Sequence, residues 1–451
     1  MRQTLDRTTD HAIHASSGAT NVVLSLLVAI LAIGAIAPTT VRGQDGEPEA
    51  SAAPVATDIP DGFDEAMVER IAEIVSEVPG IRQIDATEGV SYRLVDADTL
   101  RDEIEALFRQ EYSAEYIAAE DDLFTRLGLI GPKDDLEELI LSLYESQVLA
   151  YYEPRTDTFS IVGPLKRIGG LEAVVVAHEY EHALQDAKWD LEGTRVTDLT
   201  RSDAILAQQA LAEGDATAVM YDWAARELRL RQLLRAAGDA LERDDQRVLR
   251  RIPTILRRQL EFPYLDGYAF VNALRGRGDW GAVDDAWENR PVSTEQILHP
   301  ELYPDELPVE ISLPDVAAAL GPGWTTPYQQ TFGEMQMGAW VAGDRKAKSL
   351  FPSLPPQLQR QDAVAGWGGD RLVSLDGPDG SWAVVWQTDW DSDKDATEFR
   401  KAARTVLKKL KGASAATGAD VAGGLSSPVL VLVADSDETL GTVRTALGLA
   451  S

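Results

Sequence analysis

The sequence predicts an α+β fold: a mostly helical domain with a small sheet and an edge hairpin, followed by a small C-terminal α+β unit. Three observations predict it. Apolar residues recur at helical spacing in successive segments from Met67 to Leu274. A strand–turn–strand pattern at 148–162 stands directly before an apolar helix. From Asp370 onward, short strands and helices follow in the order ββαβα.

Composition narrows the chemistry. The 451 residues allow two or three domains, and a hydrophobic content of 44% is enough to build a core. The formal charge of −32 argues against nucleic acid as a partner, since phosphate binding needs a basic face. Arg far outnumbers Lys. There is no cysteine, which removes disulfides and thiolates and leaves His, Asp and Glu as metal ligands.

The elements follow in order. Residues 1–20 are polar. Residues 21–37 form an uncharged apolar stretch expected to act as a signal peptide or an N-terminal membrane anchor, with the bulk of the chain secreted or held outside the cytoplasm. Residues 38–60, rich in Pro, Ala and acid, read as a flexible linker. The main domain is expected over 61–365. Met67, Ile71, Ile74, Val75 and Val78 mark its first helix, and Ser91–Val95 is a short strand candidate. Helical patterns follow at about 98–110, 113–127 and 134–147. Val148–Tyr152 and Thr158–Val162 flank Glu153-Pro154-Arg155-Thr156-Asp157 as a hairpin, whose outer strand would offer an edge to an extended peptide. Further helices are expected at about 203–229 and 229–260. The second is locally basic, with Arg250, Arg251, Arg257 and Arg258 among its cations, and it breaks at Phe262-Pro263-Tyr264. A helix near 329–341 and the small domain at 366–451 complete the chain, with the Gly/Ala-rich run 412–425 read as a linker.

The chemistry concentrates at His178-Glu179-Tyr180-Glu181-His182. On a helix, residues four apart lie on one face a turn apart, so two imidazoles can reach one metal ion. Glu179 lies beside them and can take a proton from a metal-activated water. A catalytic zinc takes three protein ligands and leaves one position open. Without cysteine a carboxylate is the natural third, and Glu213, set among small residues that let its helix pack close to another backbone, is the choice over Asp215, Asp203 and Asp190. Asp186 and Asp215 are candidates to orient a ligand imidazole. His299, the only histidine beyond the motif in the main domain, is a candidate oxyanion donor, as are Tyr264 and Tyr268.

His178-Glu179-x-x-His182 followed by a helix bearing Glu213 resembles the zincin metallopeptidases in their Glu-ligand branch, the gluzincins. The run His182-Ala183-Leu184-Gln185-Asp186 is similar to that branch as well. The resemblance covers about residues 148–222 and extends to exported bacterial zinc-peptidase-like proteins of unassigned role. It implies Zn2+ as cofactor, His178, His182 and Glu213 as its ligands, Glu179 as general base, and a peptide or protein substrate. The gap from His182 to Glu213 is longer than in the thermolysin-like members. The alternative from another class is a non-catalytic surface protein with a structural zinc or no metal, whose C-terminal unit binds a partner.

Overall fold

A computed structural model describes residues 25–28, 59–87, 89–229, 231–232, 252–343, 362–418 and 421–449. Among them the fold is α+β and mostly helical, with two small sheets.

The first sheet has four strands: β1 (Ser25–Val28), β2 (Ser91–Val95), β3 (Val148–Glu153) and β4 (Thr158–Val162). Their order is β1-β3-β4-β2, with β2 and β4 parallel and the other pairs antiparallel. The expected hairpin forms, but neither of its strands is an edge. β2 covers β4 on one side, and Ser25–Val28 covers β3 on the other. This also corrects the membrane-spanning helix expected in the N-terminal apolar stretch. The described part of that stretch is a strand, its backbone paired with β3. No helix among the described residues is long and apolar enough to cross a membrane. The rest of residues 1–58 lies outside the described set.

Helices α1 (Glu65–Arg82), α2 (Ala97–Glu111), α3 (Ala114–Arg126) and α4 (Leu136–Gln147) sit where the apolar periodicity puts them. Each begins on a side-chain cap, from Asp64, Asp96, Ser113 and Asp135 respectively, which satisfies an amide the first turn leaves without a partner. α5 (Gly170–Trp189) carries the histidine motif. Its first turn is closed by Glu172, whose carboxylate accepts the Gly169 N–H at 3.0 Å. α6 (Ser202–Glu227) packs against it. Both helices are apolar nearly all round and therefore buried on most faces.

α7 (Thr254–Glu288) runs straight through Pro263, where the sequence predicts a break. Phe262 and Tyr264 are both buried, and that packing outweighs the hydrogen bond a proline removes. The interruption lies instead at Gly278 and Asp279, which leave helical backbone angles. Most of the basic stretch, residues 233–251, lies outside the described residues. Its end is a paired surface: Arg258 lies 3.4 Å from Asp266 and 4.0 Å from Glu261.

α8 (Thr294–Leu298), α9 (Val316–Leu320) and α10 (Gly333–Ala342) lead to the second sheet. That sheet is formed by β5 (Thr325–Gln330), β6 (Trp367–Asp376), β7 (Trp382–Trp390), β8 (Ser414–Gly418) and β9 (Val429–Ala434), in the order β5-β6-β7-β9-β8, all antiparallel. α11 (Asp393–Leu407) and α12 (Asp437–Ala446) complete the unit. Two of its strands depart from the sequence reading. β8 falls in the run read as a linker, and β5 precedes residue 366 yet pairs with β6.

Candidate metal centre

α5 and α6 bring His178, His182 and Glu213 together in a buried triangle. His178 Nε2 lies 3.1 Å from His182 Nε2 and 3.1 Å from Glu213 Oε2, and His182 Nε2 lies 3.3 Å from the same oxygen. Ligand atoms bound to one ion at ~2.0–2.1 Å in a tetrahedron stand ~3.3 Å apart. The triangle therefore matches three corners of a tetrahedral zinc site. Among the described residues it holds three protein groups, so one corner is left over.

The approach of α6 depends on glycine. A β-carbon at Gly214 would stand 2.2 Å from the Gly267 carbonyl carbon, and one at Gly267 would stand 2.0 Å from the Ala210 oxygen. α6 and α7 thus touch backbone to backbone one residue beyond Glu213, the close packing that the small residues around Glu213 predict.

One imidazole is oriented by a residue that the sequence reading did not choose. His182 Nδ1 is 2.9 Å from Gln185 Oε1, and Gln185 Nε2 donates to Ala212 O at 3.1 Å. With its amide N–H spent on Ala212, Gln185 presents its oxygen to the ring. That oxygen requires the proton on His182 Nδ1, so Nε2, facing the triangle, is the nitrogen whose lone pair a metal would take once its own proton is lost. The same side chain ties α5 to the residue before Glu213. Its only signal in the sequence was its place one turn after the motif.

Asp186 and Asp215, the expected orienting carboxylates, serve other partners. Asp186 accepts from the Leu191 N–H at 2.9 Å and from the Tyr152 hydroxyl at 3.2 Å, closing the end of α5 against β3. Asp215 accepts from Arg82 at 2.7 and 3.0 Å and from the Trp287 indole at 2.8 Å. Arg82 is fully buried, lies 3.6 Å from Glu181 within the motif, and also pairs with Asp284 at 2.8 Å. One guanidinium thereby holds both ligand-bearing helices. His299 pairs with Glu334 on α10 at 3.0 Å, and its ring also faces Glu301 at 3.9 Å. The aromatic residue at the triangle is Tyr264, whose ring stacks 6.1 Å from that of His178.

Electrostatics set the resting protonation. Burial pulls His178 down to about 4, with His182 adding to the effect. Burial alone would also lower His182, but the adjacent Glu213 carboxylate outweighs it and raises the ring to about 9. Burial opposes ionisation of Glu213, and His182 overcomes it, holding the acid at about 2. Burial pushes Glu179 up to about 8, while His182 pulls the other way. The Tyr152 N–H on β3 is close enough to lower Glu179 slightly without a hydrogen bond of normal geometry. Burial, then Glu213 and Glu179, hold the Tyr264 phenol well above its ordinary range.

The fold and site together define an α+β protein with a buried group of two imidazoles and one carboxylate. Among known families, residues 323–445 match one described as Domain of unknown function (DUF8575). That segment covers the second sheet and excludes the triangle. No curated protein and no solved structure matches the chain.

Proposed function

We propose that this protein is a zinc-dependent peptide hydrolase, with His178, His182 and Glu213 holding the ion and Glu179 as general base. The observation that carries this reading is the triangle itself, with tetrahedral spacing, three protein groups, and a buried carboxyl next to it on α5. A structural zinc usually takes four protein ligands and has no need of such a base.

Zinc held there would act as a Lewis acid toward a water and a substrate carbonyl. Glu179, buried beside the pair on α5, would in its ionised form accept a proton from the attacking water and pass it to the leaving amine. Tyr264, whose ring lies beside His178 and whose hydroxyl interacts with Glu213, would be the donor to the developing oxyanion. The substrate would be a peptide or protein, reaching a site that β3 borders through the Tyr152 N–H near Glu179.

Metal content and a peptide-library digest of the purified protein test this. The expected result is one zinc per chain and cleavage abolished by chelator. Glu179→Gln should keep the zinc and lose cleavage by at least ~100-fold, the scale of a general base. Zinc well below one per chain, or undiminished cleavage by Glu179→Gln, refutes the assignment.

A further inference from the structure

A second group of potential ligands stands apart from the histidine triangle. Glu295 on α8, Glu306 in the loop beyond it, and Asp391 just after β7 each place one carboxylate oxygen within 4.8 Å of the other two. Surface acids often gather without an ion, especially on so acidic a chain. Glu295 is different because only 2% of it is exposed and its Oε1 has no hydrogen-bond partner among the described residues. After burial itself, the groups that act most strongly on it are Glu334, Asp391, Glu306 and Asp203, all acids. His299 is the nearby base: its charge favours ionised Glu306 and Asp391, while its ring nitrogens face Glu334 and Glu301. Burial and these acids push Glu295 up to about 10, so its sealed carboxyl ionises near neutrality only if a cation joins the group.

We propose that Glu295, Glu306 and Asp391 bind one hard divalent cation, and that calcium is the ion they suit. The donors are carboxylate oxygens only, a set that suits calcium or magnesium over zinc. Calcium tolerates an irregular shell of about six to eight oxygens, whereas magnesium demands a near-ideal octahedron, so three carboxylates drawn from separate segments suit calcium better. Asp391 is exposed, so water can complete a coordination shell of the size calcium takes. The three segments are already held in place. Gln296 Nε2 donates to Glu306 O at 2.7 Å, and the Asp391 N–H donates to Gly366 O at 3.0 Å. Because Asp391 ends a strand of the second sheet and Glu295 lies on α8, the ion would clip the sheet to the helical part of the chain. It would be a site for stability and would stand whether or not the triangle is catalytic.

The test is a calorimetric titration of the full-length, calcium-depleted protein with calcium chloride, and separately with magnesium chloride, followed by thermal unfolding with each ion. We expect one calcium per chain with a dissociation constant between about 0.01 and 1 mM, magnesium binding more weakly, and a higher melting temperature with calcium. Asp391→Asn, at an exposed position, and Glu295→Gln should each weaken calcium binding at least ~10-fold without changing zinc content. No calcium binding up to ~10 mM overturns the proposal, as does wild-type affinity in both variants, which would place the ion elsewhere. Tighter binding of magnesium overturns the choice of calcium.

Discussion

Replacing Gly214 by alanine adds one methyl group where α6 and α7 touch. On helix propensity alone the change should stabilise by about 1 kcal/mol. The structure reverses that sign. The new β-carbon would stand 2.2 Å from the Gly267 carbonyl carbon, 2.3 Å from its oxygen and 2.8 Å from the Tyr268 nitrogen. All three are backbone atoms, so no side chain can swing aside. Reaching an ordinary 3.4 Å contact requires the helices to part by about 1.2 Å. Overpacking on that scale costs about 3 kcal/mol, which leaves a net loss of about 2 kcal/mol after the propensity gain. In a domain of this size that is about 3 °C in melting temperature. Glu213 precedes Gly214 and moves with it, and metal sites tolerate only ~0.2 Å in ligand distance, so zinc affinity should fall at least ~10-fold. Thermal unfolding of the metal-free protein and zinc competition against a chelator measure the two effects. Gly276→Ala, in the exposed part of α7 with no atom near the new methyl group, is the control and should be neutral or stabilising by up to about 1 kcal/mol. A Gly214→Ala protein as stable as the control, with unchanged zinc affinity, would refute the close-contact argument.

Two further perturbations probe the buried charges. Arg82→Met keeps an apolar stem but leaves Asp215, Glu181 and Asp284 without their shared cation, so a loss of about 3–5 kcal/mol is expected; denaturant unfolding showing less than about 1 kcal/mol would mean the acids find other partners. Asp203 is buried and raised from 3.8 to about 7, chiefly by burial. A raised carboxyl is protonated in both states below the unfolded value; above it the unfolded chain ionises first, so this group lowers stability as pH climbs from about 4 to 7, by about 4 kcal/mol in full. Asp203→Asn should flatten that part of the pH–stability profile and raise the melting temperature above pH 7; an unaltered slope would remove Asp203 as its source.

What the sequence revealed and what it hid separate by locality. The i, i+4 spacing put His178 and His182 on one face, and the small residues around Glu213 signalled a close helix crossing. Both follow from neighbours within a few turns. Arg82 was silent because its bonding partner, Asp215, is 133 residues away. Gln185 was silent because an amide acquires its role only when Ala212 takes its N–H. The strand Ser414–Gly418 lacks the β-branched alternation that marks a strand and exists because β9 pairs with it. Pro263 misled for the same reason, since core packing on both sides overrides a local penalty. Asp186 and Asp215 were sought as partners of the imidazoles, and the fold engages them with Tyr152, Leu191, Arg82 and Trp287 instead.

The triangle also explains how three polar groups can be buried together before any ion arrives. A lone buried carboxylate would take up a proton, yet Glu213 is held at about 2 because His182, raised to about 9, stands 3.3 Å away. The pair supplies its own counter-charge, so the fold can close around it. His178, pulled down to about 4, stays neutral beside them and adds no second positive charge. Arg82 fixes the two helices by contacts that do not involve the triangle, and Gln185 holds the far nitrogen of His182 while tying α5 to α6, so the spacing is set by the scaffold. On the proposed reading, a cation entering such a site would displace the proton that His182 holds against Glu213, and His178, His182 and Glu213 would already stand at tetrahedral spacing around it.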